Sequence, residues 1–113
     1  TDATAGSGLA EETPFQLGEM RCKVCGGVGL TADGAALAGS TSTMIHLVRT
    51  LTRTAGVPLT EALRMASLNP ARALKLSNKG TLVPGADADL ILLSDELEVI
   101  ATFVQGRRVH RQR

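Results

Sequence analysis

One carboxylate stands apart in this sequence. Asp2, in TDATAGSG (residues 1–8), is set among Thr, Ala and Gly, whose small side chains let other groups approach closely. That setting suits a general acid/base, which must come within hydrogen-bond reach of the proton it moves. Asp87 and Asp89, in ADADL, are a second pair of close acids. They fall at a turn entering a strand, where Asp bonds the turn's own backbone amides, so a structural role is expected of them. Cys22 and Cys25 form a single C-x-x-C. A structural zinc site needs four ligands, and neither a second pair nor a nearby His completes this one. Gly26, Gly27 and Gly29 follow the pair, which is loop chemistry rather than the helix N-terminus of a redox dithiol. The expectation is two reduced, small apolar residues in a strand and its turn. His46 and His110 are isolated, and neither H-x-H, H-E-x-x-H nor a phosphate-cradling G-x-x-x-x-G-K-[ST] occurs.

The elements that must position these groups follow from periodicity. Residues 1–19, with Gly, Ala, Thr, Glu and Pro14, show no sustained period and read as loop. From Met20 to Val24 apolar residues alternate with Arg21 and Lys23, the period-2 pattern of a half-buried strand. GGVGLTADG then supplies turn residues around a second short strand, Val28 to Thr31, and Asp33-Gly34 predicts a turn. The same glycines mimic a dinucleotide fingerprint, Gly27-x-Gly29-x-x-Ala32, but that motif must open a helix and is rejected here. Met44, Leu47, Val48 and Leu51 lie at i, i+3, i+4 and i+7, predicting a helix with N-cap hydroxyls among Ser40 to Thr43 and an end at Gly56. A second helix is expected from a Thr60 cap to about Leu68, and a third from Asn69 as cap with Pro70 at its first position. Pro84-Gly85 predicts a type II turn, Leu90 to Leu93 and Val99 to Val104 two strands, and Gln105-Gly106 a tight turn into Arg107 to His110. Two or three short strands cannot bury enough apolar area alone, so a partner sheet is expected from Met20 to Thr31 or from further sequence.

Composition bounds what this arrangement does. The chain has 113 residues, 43 % of them apolar, enough for one modest domain. Its net charge of +1 gives no field to favour nucleic acid or an anionic membrane. Arg107, Arg108, Arg111 and Arg113 crowd the end, and read as a solvated terminus. No apolar run is long enough to cross a bilayer, and residues 1–20 lack the basic and apolar regions of a secretory signal, so a cytoplasmic protein is expected. The opening, with no initiator Met, reads as the middle of something larger.

Four stretches together resemble one family. TDATAGSG, DGAALAGSTSTM (33–44), LTEALRMASLNPARALKL (59–76) and KGTLVPGADADLILL (79–93) look like the C-terminal part of the N-acetylglucosamine-6-phosphate deacetylases, in the amidohydrolase superfamily. NPARAL and KGTLVPGADADLILL are shared by many amidohydrolases, while TDAT and LAGSTSTM narrow the likeness. The resemblance implies an α/β fold: residues 1–76 would be the end of a TIM-like (β/α)8 barrel (Asp loop, hairpin region, terminal helices), and 77–113 strands of a small β-sandwich.

It also implies a site. Asp2 would lie at the C-terminal end of the last barrel strand and take a proton from a metal-bound water that attacks the acetamide carbonyl, then return it to the leaving amine. Leu37, Ala38 and Gly39 would be a substrate-binding loop, Ala38 standing where the family is expected to carry Ser. The divalent metal, zinc or iron, would be held by ligands outside this chain, so the 113 residues alone are expected to be inactive. The substrate would be N-acetylglucosamine 6-phosphate, and the full-length enzyme a homodimer. Two alternatives stay open from the residues: another amidohydrolase acting on a cyclic amide or different N-acyl substrate, and a non-catalytic binding or assembly module.

Overall fold

The computed structural model describes residues 1–111. Its elements in chain order are β1 (Pro14–Leu17), β2 (Met20–Cys25), β3 (Val28–Thr31), β4 (Leu37–Ser40), α1 (Met44–Arg53), α2 (Leu59–Ala66), α3 (Leu68–Ala73), β5 (Leu90–Leu93), β6 (Val99–Val104) and β7 (Arg107–Arg111). They fall into two compact units that divide between Leu47 and Val48, inside α1. The helix-to-strand change expected near residue 76 therefore lies within the second unit.

The first unit is an antiparallel meander, β1-β2-β3-β4. Alternation in β2 sends Cys22 and Val24 inward, where they meet Phe15 of β1 and Ala38 of β4 as the core. Phe15 stands opposite Cys22 across the ladder. Its ring also covers Gly6, where a Cβ would come within 2.6 Å of the ring edge, so the segment 1–8 is drawn onto the sheet. Two elements depart from the sequence expectations. β1 forms inside the stretch read as loop, because Phe15 supplies the buried contact that a four-residue strand needs and no alternation announces. β4 forms between the turn expected at Asp33-Gly34 and the helix caps expected from Ser40, where no strand was expected. The Asp33 carboxylate accepts hydrogen bonds from Thr31 Oγ1 (2.5 Å) and the Ala35 N–H (3.0 Å), and this turn folds residues 37–40 back onto β3.

In α1 the Thr43 hydroxyl takes the His46 N–H at 3.4 Å, so among the candidate cap hydroxyls Thr43 serves. The caps of the next two helices shift. Pro58, not Thr60, occupies the N-cap of α2, with its carbonyl accepting from Glu61 and Ala62 N–H, and Ser67, not Asn69, precedes α3. Pro70 fits inside the first turn of α3 because N–H groups there have no intrahelical acceptor to lose.

The second unit is closed by charges bonded to backbone. Arg49 donates through Nε (3.2 Å) and a terminal nitrogen (2.9 Å) to the Leu97 carbonyl and pairs with Glu98 at 2.8 Å, while Arg53 donates to the Glu96 carbonyl. Both arginines thus fasten α1 to the loop between β5 and β6. The Pro84-Gly85 turn and the strands β5, β6 and β7 form as expected, in the order β5-β6-β7. Ile91, Leu92, Val104 and Val109 of that sheet are exposed. Among the described residues, no helix is long and apolar enough to cross a membrane.

Asp87 and Asp89 have the structural role expected of them. Lys79 bonds Asp87 at 2.7 Å and Asp89 at 2.5 Å, Asn78 bonds Asp87, and the Gln105 N–H donates to Asp89. The Lys79 hydrogen bond, followed by that from Gln105, holds the Asp89 carboxyl below its ordinary value of 3.8. Its contribution to stability is therefore present above pH 3.8 and lost as pH falls through the lower folded value. The hydrogen bonds that Lys79 donates to Asp87 and then Asp89 hold its pKa above 10.5, so its contribution is present below that pH and lost as pH rises through the higher folded value. Thermal unfolding followed from pH 2 to 11 should show both flanks, and Asp89→Asn should flatten the acid flank while leaving a basic one from the Lys79–Asp87 pair.

Candidate functional site

The two motifs that the sequence keeps more than thirty residues apart meet edge to edge. Beyond β4, the meander continues into the segment 2–4 through a parallel bridge between Ala3 and Ser40. The Ser40 N–H donates to the Asp2 carbonyl (3.1 Å), and the Thr4 N–H donates to the Ser40 carbonyl (2.9 Å). Asp2 is thus tied by its backbone beside Gly39 and Ser40, with its side chain exposed and, among the described residues, no hydrogen bond to its carboxylate. Its φ of 51° is left-handed, a region Asp enters more readily than most residues with a Cβ.

The three residues of the Leu37–Gly39 stretch are placed differently. Leu37 is 74 % exposed, whereas Ala38 is 2 % exposed and turns its methyl into the core with Phe15, Cys22 and Val24. Only the backbone of Ala38 is left to meet a ligand, and a hydroxyl in its place would be buried in an apolar cluster. Gly39 has φ 71°, and a Cβ there would lie 2.4 Å from Thr4 Cγ2 and 3.5 Å from the Asp2 carbonyl oxygen. Glycine is required on both counts: the backbone torsion is left-handed, and the space is taken.

Thr4 was not singled out by sequence reasoning. Its signal is confined to its place in TDAT, since a half-buried Thr in an irregular segment has no period to betray it. In the structure its methyl lies on Gly39 and its hydroxyl reaches the Ser40 carbonyl at 3.3 Å.

A divalent metal does not fit the acids and bases gathered here. Among the described residues one group brings three ligand types together, Glu11, Glu12 and Cys25, and it does not include Asp2. Two of its members are engaged: the Glu11 carboxylate accepts the Gly26 N–H and Glu12 pairs with Lys23 at 3.0 Å. The hydrogen bond that Lys23 donates to Glu12 raises the Lys23 pKa above its ordinary value. The other candidates lie apart from Asp2 in the chain. Cys22 and Cys25, three residues apart on one strand, point to opposite faces, and both are free thiols. His46 lies on α1 beside a cleft of about 570 Å³ that Gly26, Gly27 and Thr41 also line. Arg107, Arg108, His110 and Arg111 are exposed on β7, while Arg113 lies outside the described residues.

The model of the amidohydrolase family matches residues 19–109. N-acetylglucosamine-6-phosphate deacetylase of Danio rerio is 39 % identical over 113 residues, covering 99 % of this chain and 28 % of that protein. N-acetylgalactosamine-6-phosphate deacetylase of Escherichia coli O157:H7 is 38 % identical over 108 residues, covering 95 % of this chain and 28 % of that protein. The crystal structure of N-acetylglucosamine-6-phosphate deacetylase from Thermotoga maritima superposes with a TM-score of 0.86 at 34 % identity, covering 99 % of this chain and 30 % of that one. The chain therefore spans less than a third of the length of these relatives.

Two outcomes test the geometry. Gly39→Ala should cost about 2 kcal/mol or more, the order of a left-handed residue with a side chain before any clash with Thr4, read from the urea midpoint. Under non-reducing conditions mass spectrometry should find two thiols without a mutual disulfide, with iodoacetamide modifying half-buried Cys25 before buried Cys22.

Proposed function

The chain belongs to the amidohydrolase family, and we propose that it is the C-terminal portion of a hydrolase that removes the acetyl group from N-acetylglucosamine 6-phosphate. The observation that carries this reading is 39 % identity to a deacetylase over nearly the whole chain. The backbone pairing of Asp2 with Ser40 supports it, because it sets an exposed carboxylate beside the stretch assigned to the sugar.

In this reading Asp2 is the general base and then the general acid. It removes a proton from the water that attacks the acetamide carbonyl, and delivers it to the amine nitrogen as the carbon–nitrogen bond breaks. Acetate and glucosamine 6-phosphate leave. Leu37 covers the sugar with an apolar side chain, and the backbones of Ala38 and Gly39 approach it without one in the way. When bound, a divalent metal of the kind amidohydrolases use polarises the carbonyl and lowers the pKa of water. Its ligands belong to residues outside those described, as does the remainder of the barrel that residues 1–76 would complete. Residues 77–113 are assigned to the β-sandwich, and the exposed apolar side chains of β5, β6 and β7 support partner strands from further sequence. The enzyme is assigned to the cytoplasm, as a homodimer.

A second substrate is favoured by a specific observation. At 38 % identity the N-acetylgalactosamine-6-phosphate deacetylase of Escherichia coli O157:H7 matches nearly as well, and the two sugars differ only at one hydroxyl. The test is acetate release by the intact gene product from both sugar phosphates with metal supplied. The N-acetylglucosamine 6-phosphate reading expects the higher kcat/KM on that sugar, and the opposite order reassigns the enzyme to the epimer. Asp2→Asn should lower kcat by about 100-fold or more on either sugar while substrate affinity changes little, as loss of a general acid/base does; full activity in Asp2→Asn would remove Asp2 from the chemistry.

A further inference from the structure

We propose that Thr4 is a positioning residue for Asp2, holding the carboxylate in register with the Gly39–Ser40 edge; the inference rests on the deacetylase reading above. It starts from a cost. Asp2 sits at φ 51°, a conformation that costs an L-residue about 1–2 kcal/mol and persists only where its surroundings fix it. Chain on the C-terminal side of Asp2 supplies that fixing, and Thr4 is where it concentrates.

Four contacts converge on this residue. The Thr4 N–H donates to the Ser40 carbonyl at 2.9 Å, and its hydroxyl donates to the same oxygen at 3.3 Å. Its carbonyl accepts the Ser7 N–H at 2.9 Å, which closes a turn behind it. Its methyl occupies the volume that any side chain at Gly39 would need. The Ser40 N–H, in turn, donates to the Asp2 carbonyl at 3.1 Å. Ser40 is therefore gripped from both ends, through Asp2 and through Thr4, with Ala3 between them. Sliding the segment 2–4 along β4 breaks both backbone bonds and drives the Thr4 methyl off Gly39. Thr is suited to this in a way neither Ser nor Val is alone, since it carries the hydroxyl and the methyl together, and its β-branch restricts χ1.

The consequence for catalysis is one of placement rather than contact. A base displaced by about 1 Å from its proton costs up to about 100-fold in rate, so a loosened Thr4 should be felt at Asp2 without touching substrate. The experiment uses the intact gene product with Thr4→Ala, Thr4→Ser and Thr4→Val. It reads kcat and KM for acetate release against pH, and hydrogen exchange of the Ser40 amide. Expected is a kcat lower by about 10- to 100-fold in Thr4→Ala with KM unchanged, a moved acid limb in the kcat profile, and partial rescue by both Ser and Val. Ser40 exchange should accelerate in the same order. An unchanged kcat per folded molecule in Thr4→Ala overturns the positioning role, as does a loss confined to thermal stability. A wild-type product that releases no acetate from either sugar phosphate overturns the deacetylase reading instead. Ser40 exchange then decides the clamp by itself, and an unchanged rate in Thr4→Ala overturns that too.

Discussion

Everything at the candidate site depends on how closely two stretches of backbone can approach. The segment 2–4 lies against residues 39–40 at hydrogen-bonding distance, and it does so only because position 39 has no side chain. The energetics are finely poised. Two backbone hydrogen bonds contribute roughly 0.5–1.5 kcal/mol each in net terms, while a left-handed Asp costs about 1–2 kcal/mol. The bonds alone barely offset the conformation they hold. What tips the balance is side-chain packing nearby: Phe15 over Gly6, and the Thr4 methyl over Gly39. A core of one aromatic and three smaller side chains, Phe15 with Cys22, Val24 and Ala38, therefore fixes the edge at which Asp2 is presented.

The same contrast separates Asp2 from the other close acids. Asp87 and Asp89 are engaged by Lys79, Asn78 and the Gln105 N–H, and the bonds from Lys79 and Gln105 hold the Asp89 carboxyl below its ordinary value. Asp2 is restrained through its main chain and leaves its carboxylate exposed. Proximity of two acids in sequence thus marks a structural junction here, and the solitary acid is the one whose carboxylate stays exposed.

How much of this could be read from sequence follows from what each element uses to fold. β2 buries Cys22 and Val24 and α1 buries Val48, and period-2 alternation at Met20, Cys22 and Val24 and the 3.6-residue spacing of Met44, Leu47, Val48 and Leu51 announced the two elements, although Met20 and Met44 themselves are exposed. β1 and β4 are four residues each, too short for a period, and both form because a distant residue meets them: Cys22 for Phe15, and Asp2 and Thr4 for Gly39 and Ser40. The caps expected at Thr60 and Asn69 each lie two residues earlier, because Pro58 and Ser67 start their helices with backbone carbonyls and no side-chain bond signals the start. Asp2, Leu37, Ala38 and Gly39 are singled out by family likeness, and the structure adds their placement on one edge of the first sheet. That Ala38 faces the core while Leu37 faces out is a matter of strand phase, invisible until β4 is known to be a strand.

Phase also explains why this short strand tolerates so little. Along Leu37-Ala38-Gly39-Ser40, successive residues meet different demands: exposure, core, close backbone approach, and the two hydrogen bonds to segment 2–4. A slip of one residue would bring Ala38 under Thr4, where a methyl does not fit, and Leu37 into a core sized for alanine. The register is therefore set by two steric exclusions that act in the same direction, one at Gly39 and one at Ala38. The turn closed by Asp33 delivers the strand to that register, and the bonds from Ser40 convert it into a fixed backbone at Asp2. In this sense the acid is positioned from the far side of the sheet, by Phe15 and its neighbours, before any group that it serves comes near.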